Sequence, residues 1–174
     1  MIYDNPLKDD EGFYFVKALR DDKKKYFVQL NKVRVVSVED KEVAFDLAND
    51  ANLSRIQAVD TENLQAAVEN SEAWFGKALT EDTLTSAYTP SVINNQVTAD
   101  RIGVTKVFTA EQELVDFDAL TASSVCTVLL EFAGLWFAKK AYGPVWNIVQ
   151  VKVTPPPPEN LEVYPEDYAI EDEE

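Results

Sequence analysis

Apolar and polar positions alternate with a period of two over much of the first fifty residues, and that period predicts strands. The run 13–19 is rich in aromatic and β-branched residues, the polar run 20–24 reads as a turn, and 25–30 resumes the strand pattern. Over 32–35, Lys32 and Arg34 alternate with Val33 and Val35. Over 36–38 the alternation returns on the opposite parity, which predicts a bulge at Val35 and Val36. A turn at 39–41 leads into a further strand over 42–47. These segments predict a meander of three or four antiparallel strands.

The period then lengthens. Leu64, Val68, Phe75 and Leu79 share one stripe, flanked by Ala67, Trp74 and Ala78, which predicts a helix from Asp60 or Thr61 to Leu79 with one of those two residues as its cap. A second short helix over 81–88 follows Thr80 as cap and ends before Pro90, and 90–101 reads as polar and irregular. Strand signals return at 102–108 and in the long apolar stretch 125–139, which Gly134 interrupts. Over 146–153, Trp146, Ile148, Gln150 and Lys152 are expected on one face, with Asn147, Val149, Val151 and Val153 on the other. The run 139–144 between these strands reads as a hairpin loop. This order predicts a mainly β fold with a mid-chain helix, as a closed or partly open barrel, with an α+β sandwich as the competing solution.

Charge divides the chain further. The formal net charge is -15, but residues 159–174 carry eight carboxylates and no Lys or Arg, so residues 1–158 carry only -7. Pro155, Pro156, Pro157 and Pro158 form a stiff spacer before that tail. The organisation is thus an acidic N-terminal arm at 1–11, a domain at 12–154 with a helical insertion near 60–88, and a proline linker with acidic tail at 155–174. Its closing residues Glu171, Asp172, Glu173 and Glu174 are candidates for binding partner proteins through their basic surfaces, and a solubilising extension is the simpler reading.

Much enzymology is excluded by composition. There is no histidine, so no histidine-based triad or metal site can be built, and the single Cys126 cannot form an intramolecular disulfide or a thiolate zinc site. Cys126 lies in an apolar run and reads as a buried hydrophobe, which fits a reducing compartment. Five scattered glycines make no phosphate loop, and Asp116, Asp118 and Glu131 have no supporting base. The chain is expected not to be an enzyme and to need no metal or cofactor. No apolar run approaches the length of a membrane span, so no membrane association is expected.

What remains is binding chemistry. Proteins that hold single strands without sequence preference combine cations for phosphates with aromatic platforms for bases. Lys17, Arg20, Lys23, Lys24 and Lys25 gather at the first turn, Lys32 and Arg34 project from the next strand, and Phe13, Tyr14, Phe15, Tyr26 and Phe27 are interleaved with them. Trp136, Lys139, Lys140, Tyr142, Trp146 and Lys152 make a second grouping. Phe15, Phe27, Phe45, Trp74, Phe75 and Phe132 read first as core, and the loop lysines as solubilising charge. Tyr14, Tyr26, Tyr142 and Trp146 have the better claim as platforms. A polyanionic tail on a short spacer would compete for such a cationic groove.

The segment 134–153, the order of strands and mid-chain helix, and the proline-linked acidic end together resemble the replicative single-stranded DNA-binding proteins of large nucleocytoplasmic DNA viruses, a group similar to those of podophages. The resemblance implies an oligonucleotide-binding (OB) barrel that coats strands in viral DNA replication and recombination, at an intracellular replication site, with a tail that recruits replication proteins. By the same resemblance Lys139, Lys140 and Lys152 look like phosphate contacts, and Trp136, Tyr142 or Trp146 like stacking residues. Podophage-type tails end in an aromatic residue, whereas this chain ends in four acids with Tyr164 and Tyr168 internal. A viral structural or adaptor protein using its acidic tail on basic partners is the alternative reading, and the oligomeric state is open, a homodimer included.

Overall fold

The computed structural model describes residues 1–8, 10 and 13–154. The proline linker and the acidic tail, including Glu171, Asp172, Glu173 and Glu174, lie outside the described residues. Along the chain the elements are β1 (Ile2–Tyr3), β2 (Leu7–Lys8), β3 (Tyr14–Leu19), β4 (Tyr26–Val38), β5 (Glu42–Asp46), α1 (Asp50–Glu69), α2 (Ser71–Phe75), α3 (Glu81–Ala87), β6 (Val92–Ile93), β7 (Gln96–Phe108), β8 (Leu114–Val115), β9 (Val125–Phe137) and β10 (Tyr142–Val153).

The spine is β9. On one side it pairs antiparallel with β10 along nearly its whole length. On the other it pairs first with β4, from Arg34 opposite Val125 to Tyr26 opposite Phe132, and then with β3, from Lys17 opposite Gly134 to Tyr14 opposite Phe137. Segments 13–19 and 25–30 therefore do not form the hairpin expected from their sequence. They run in the same direction, end to end along β9, and residues 20–25 make a short excursion between them, closed by Arg20 N–H to Lys24 C=O and Lys23 N–H to Arg20 C=O.

Five strands form a ring of pairings, β4–β5–β7–β10–β9 and back to β4, antiparallel at every seam except β10–β7. The result is a mainly β domain with a mid-chain helical region and a partly closed sheet resembling an OB-like fold. Its core is built from alternate strand residues: Val28, Leu30, Val33 and Val35 of β4, Val43 and Phe45 of β5, and Val128, Leu130 and Phe132 of β9, all buried. The change of parity expected at Val35 and Val36 is present as a register shift between Val35 and Ser37.

Four local expectations change. The N-terminal arm adds β1 and β2 to β3, with Ile2 opposite Leu19 and Leu7 opposite Phe15. The long helix starts ten residues before Asp60, capped by Asn49, whose side chain accepts from the N–H groups of Ala51 and Asn52, and its successor α2 stops at Gly76 with φ 77°. Residues 92–97 form a hairpin whose two loop residues, Asn94 and Asn95, both have positive φ. A bulge between Ile148 and Gln150 reverses the parity of β10, so Val151 joins Trp146 and Ile148 inside. As expected, Thr80 caps α3 by accepting from the N–H of Thr83, and Cys126 is buried, which pushes its thiol up to about 12.

The helices cover the inner side of the sheet where it extends past the ring. Trp74 and Phe75 pack edge-on against Phe137 at 5.8 and 5.5 Å between centroids, and Phe75 and Tyr88 both reach Tyr142 at 5.2 Å. Among the described residues no helix covers the opposite, outer face of β3, β4, β9 and β10.

Candidate nucleic-acid interface

Burial first decides which aromatic rings can meet a ligand. Tyr142, expected as a stacking residue, is 0% exposed: its Oη donates to the Leu84 carbonyl at 2.8 Å, and burial pushes it up to about 12. Trp146 is 3% exposed, tilted against Phe132 at 5.4 Å, with Nε1 donating to Ser91 Oγ at 2.8 Å. Both are corrected to core residues, because α2, α3 and the Ser91 segment cover the inner face of β10. Trp136 remains half-buried on the outer face, opposite Phe15 of β3 and Gly143 of β10. Phe27, expected in the core, is 46% exposed. Tyr14 is exposed at the end of β3, while Tyr26 turns inward edge-on to Phe132.

The cations divide as well. Lys17, Lys23, Lys24, Lys32, Lys139, Lys140 and Lys152 are exposed, and none of them enters an ion pair among the described residues. Arg20 is held by Asp22 at 3.0 Å, Arg34 by Asp46 at 3.2 Å, and Lys25 by Glu131 at 3.2 Å. The first-turn group is thus partly neutralised, Arg20 by Asp22 of the same turn and Lys25 by Glu131 of β9. Only the Arg20–Asp22 pair is exposed on both sides and worth little, since Glu131 is a buried partner of Lys25.

Strand register places the remaining groups on one surface. Four-strand rungs cross the outer face: Phe27–Glu131–Asn147–Asp100, then Gln29–Leu129–Gln150–Lys106, while Thr127, Lys152 and Phe108 make a third rung over β9, β10 and β7. Glu131 is the single carboxylate in β3, β4, β9 and β10 together, and it is capped by Lys25 and by Asn147 Nδ2 at 3.3 Å. A cavity of ≈ 400 Å³ opens above Leu129, bordered by Gln29, Gln150, Phe108, Gln112 and Lys152. Sequence reasoning had missed Gln29, Lys106, Phe108, Leu129 and Gln150. The strand alternation around them was legible, but their alignment depends on pairings that, between β4 and β9, join residues about a hundred positions apart in the chain.

Lys139 and Lys140 sit in the turn closed by Ala138 N–H to Ala141 C=O, at one end of β9 and next to Tyr14, which pairs with Phe137. Lys152 lies at the other end of the same sheet. Register therefore puts Lys17, Trp136 and Lys152 of the two sequence groupings on one sheet face, with the Lys139–Lys140 turn at its end.

No curated protein matches the chain in sequence. Among solved structures, the single-stranded DNA-binding protein from bacteriophage Enc34 in complex with single-stranded DNA is 11% identical, with 86% of this chain and 93% of that chain covered at a TM-score of 0.50. A C-terminal truncation of the same phage protein is 10% identical, with the same coverage and a TM-score of 0.51. At such identity the likeness is one of fold, and it agrees with the ring of strands described above. The match to a family model extends over residues 31–172, from the middle of β4 into the acidic tail, and the chain belongs to that family, a family of unknown function (DUF5871).

Proposed function

We propose that this chain is a non-catalytic single-stranded DNA-binding protein that coats and protects strands during viral DNA replication and recombination inside the host cell. The observation that supports it most is the outer sheet face: exposed lysines without ion pairs among the described residues, beside half-exposed aromatic rings, on a barrel of OB-like form. Lysines contact phosphates, and Trp136 and Phe27 offer stacking surfaces, each worth roughly 1–3 kcal/mol per base. The fold shared with the Enc34 protein agrees with this reading. The acidic tail competes for the same face and, once displaced, recruits replication proteins through Glu171, Asp172, Glu173 and Glu174.

Titration of labelled oligodeoxythymidine and of a duplex of equal length, at several salt concentrations, tests the reading. Preferential, salt-sensitive binding to the single strand is expected, and no binding to it at low salt would sink the proposal. A chain ending at Pro158 is expected to bind several-fold more tightly at low salt. Unchanged or weaker binding would remove the tail-competition mechanism and leave the binding itself standing.

The corrected role of Trp146 gives a second check. Trp146→Phe loses the bond to Ser91 and is expected to lower stability by about 1–2 kcal/mol in urea denaturation. Strand affinity at saturating folded protein should not change, because the ring has no exposed face. A loss of affinity in a variant that is still folded would return Trp146 to the interface.

A further inference from the structure

The second and third strands of an OB barrel, with the loops between strands 1 and 2 and between strands 4 and 5, are the usual contact surface for oligonucleotides. In this ring those strands are β5 and the first half of β7, and their chemistry is wrong for a polyanion. Glu42 stands directly opposite Asp100 in the ladder, and Asp46 pairs with Gln96. Residues 42–46 and 96–100 contain three carboxylates, no cation, and no aromatic besides Phe45, which is fully buried, and the next cation along β7, Arg101, is held over the Phe117 ring at 4.1 Å. The nearby Arg34 is already engaged by Asp46. Like charges facing each other across a ladder repel one another as well as phosphate.

The outer face of β9 has the opposite character. Going from its C-terminal end, Lys139 and Lys140 occupy the turn, Phe15 lies opposite Trp136, Lys17 opposite Gly134, Phe27 opposite Glu131, Gln29 and Gln150 flank Leu129, and Lys152 lies opposite Thr127. Cations stand at three points, the Lys139–Lys140 turn, Lys17 and Lys152, along roughly 40 Å of strand. Aromatic rings lie between them.

We propose that the DNA strand runs lengthwise along the outer face of β9, between the Lys139–Lys140 turn and Lys152, with one base seated in the cavity above Leu129, and that it avoids the β5–β7 face. This rests on the single-strand-binding reading above and assigns it a surface. The cavity suits a nucleobase: Leu129 and Phe108 supply apolar contact for its ring, the amides of Gln29, Gln112 and Gln150 supply donors and acceptors for its edge, and Lys152 supplies charge for its phosphate. Amides of both polarities accept any base, so no strict sequence preference is expected.

Two measurements on the full chain test the placement. Lys17→Glu with Lys152→Glu reverses two exposed charges at separate points of the track. Affinity for oligodeoxythymidine is expected to fall at least about tenfold at low salt, with the slope of log affinity against log salt reduced by about 1.4, since each phosphate contact on a single strand contributes about 0.7. Lys41→Glu, in the turn between β4 and β5, is expected to change affinity less than about twofold. Photo-crosslinking with iododeoxyuridine oligonucleotides is expected to label peptides containing Phe27, Phe108 or Trp136. Crosslinks in 42–46 and 92–100, or a loss from Lys41→Glu that matches the double reversal, would overturn the placement while leaving single-strand binding intact. Absence of single-strand binding by the unaltered chain would instead overturn both.

Discussion

Gly134→Ala is expected to be the most damaging single-methyl change in the barrel, costing about 3–5 kcal/mol and lowering the urea midpoint by about 2 M. Gly134 has φ 146°, a conformation that L side chains rarely adopt, at the point where β9 passes from pairing with β4 to pairing with β3. A Cβ there would stand 2.0 Å from the Val16 carbonyl oxygen, 2.9 Å from the Phe15 ring and 3.0 Å from Lys17 Cα. Even attractive C–H···O contacts hold carbon and oxygen about 3.3 Å apart. Two of these three neighbours are backbone, so rotating a side chain cannot relieve the clash. Gly103→Ala is the matched control: a Cβ there would meet nothing within 4 Å, and a change of no more than about 0.5 kcal/mol is expected. Equal stability losses in the two variants, read by urea denaturation, would refute the close approach at Gly134.

That glycine also shows where the sequence was informative and where it was not. Its place within an apolar run marked an interruption, and the strand does change partner there, yet the reason is a backbone more than a hundred residues earlier. Local signals fared better. Thr80 as cap and Pro90 as stop announced α3, and the switch of parity at Val36 announced a bulge, because both effects are written in nearby residues. The start of α1 was missed for a physical reason: its buried face contains Asn52, Asp60 and Asn63, which break the apolar stripe that marks a helix. Those polar residues are buried because other elements satisfy them. Asn52, for instance, exchanges hydrogen bonds with the backbone of Asn31 at 2.7 and 3.1 Å.

For the binding surface the same division holds. Exposed lysines were legible by type, and Lys17, Lys139, Lys140 and Lys152 are indeed exposed. Tyr142 and Trp146 were not legible as core, since what hides them is the helical layer and the Ser91 segment rather than anything in their own strand. Phe27 erred in the other direction: an aromatic in a strand reads as core, but its parity in β4 is set by Val28 and Leu30, which point inward. Which face the strand presents follows from the ring, and the ring follows from long-range pairing.

Removing the Asp60 carboxylate is expected to cost about as much as the glycine change, by a different route. Asp60 accepts from Tyr88 Oη at 2.6 Å, from Ser91 Oγ at 2.6 Å, and from Ser91 N–H at 3.0 and 3.2 Å at its two oxygens. The network continues: Asn63 Nδ2 donates to Tyr88 Oη, Tyr3 Oη donates to Asn63 Oδ1, and Trp146 Nε1 donates to Ser91 Oγ. It thereby ties β1, α1, the end of α3 and β10 together, and among the described residues no cation forms an ion pair with Asp60. Asp60→Ala strips three buried donors of their acceptor, and about 3–5 kcal/mol should be lost at neutral pH. Asp60→Asn keeps one acceptor oxygen but aims an amide N–H at the Ser91 N–H, for a loss of about 1–2 kcal/mol. Burial raises the Asp60 carboxyl above its ordinary value, although the hydrogen bonds from Ser91 and Tyr88 oppose it. A raised folded-state value means the native state binds the proton more tightly than the unfolded chain, so this group stabilises most below the unfolded value near pH 3.9 and that contribution is lost as pH rises through the folded value. The stability difference between the unaltered chain and Asp60→Asn should therefore shrink as pH rises from about 4, and subtracting the two curves removes the effect of the remaining carboxylates. A difference that grows with pH would mean that the accepted hydrogen bonds outweigh the cost of burial, and that Asp60 is held as an anion rather than tolerated as one.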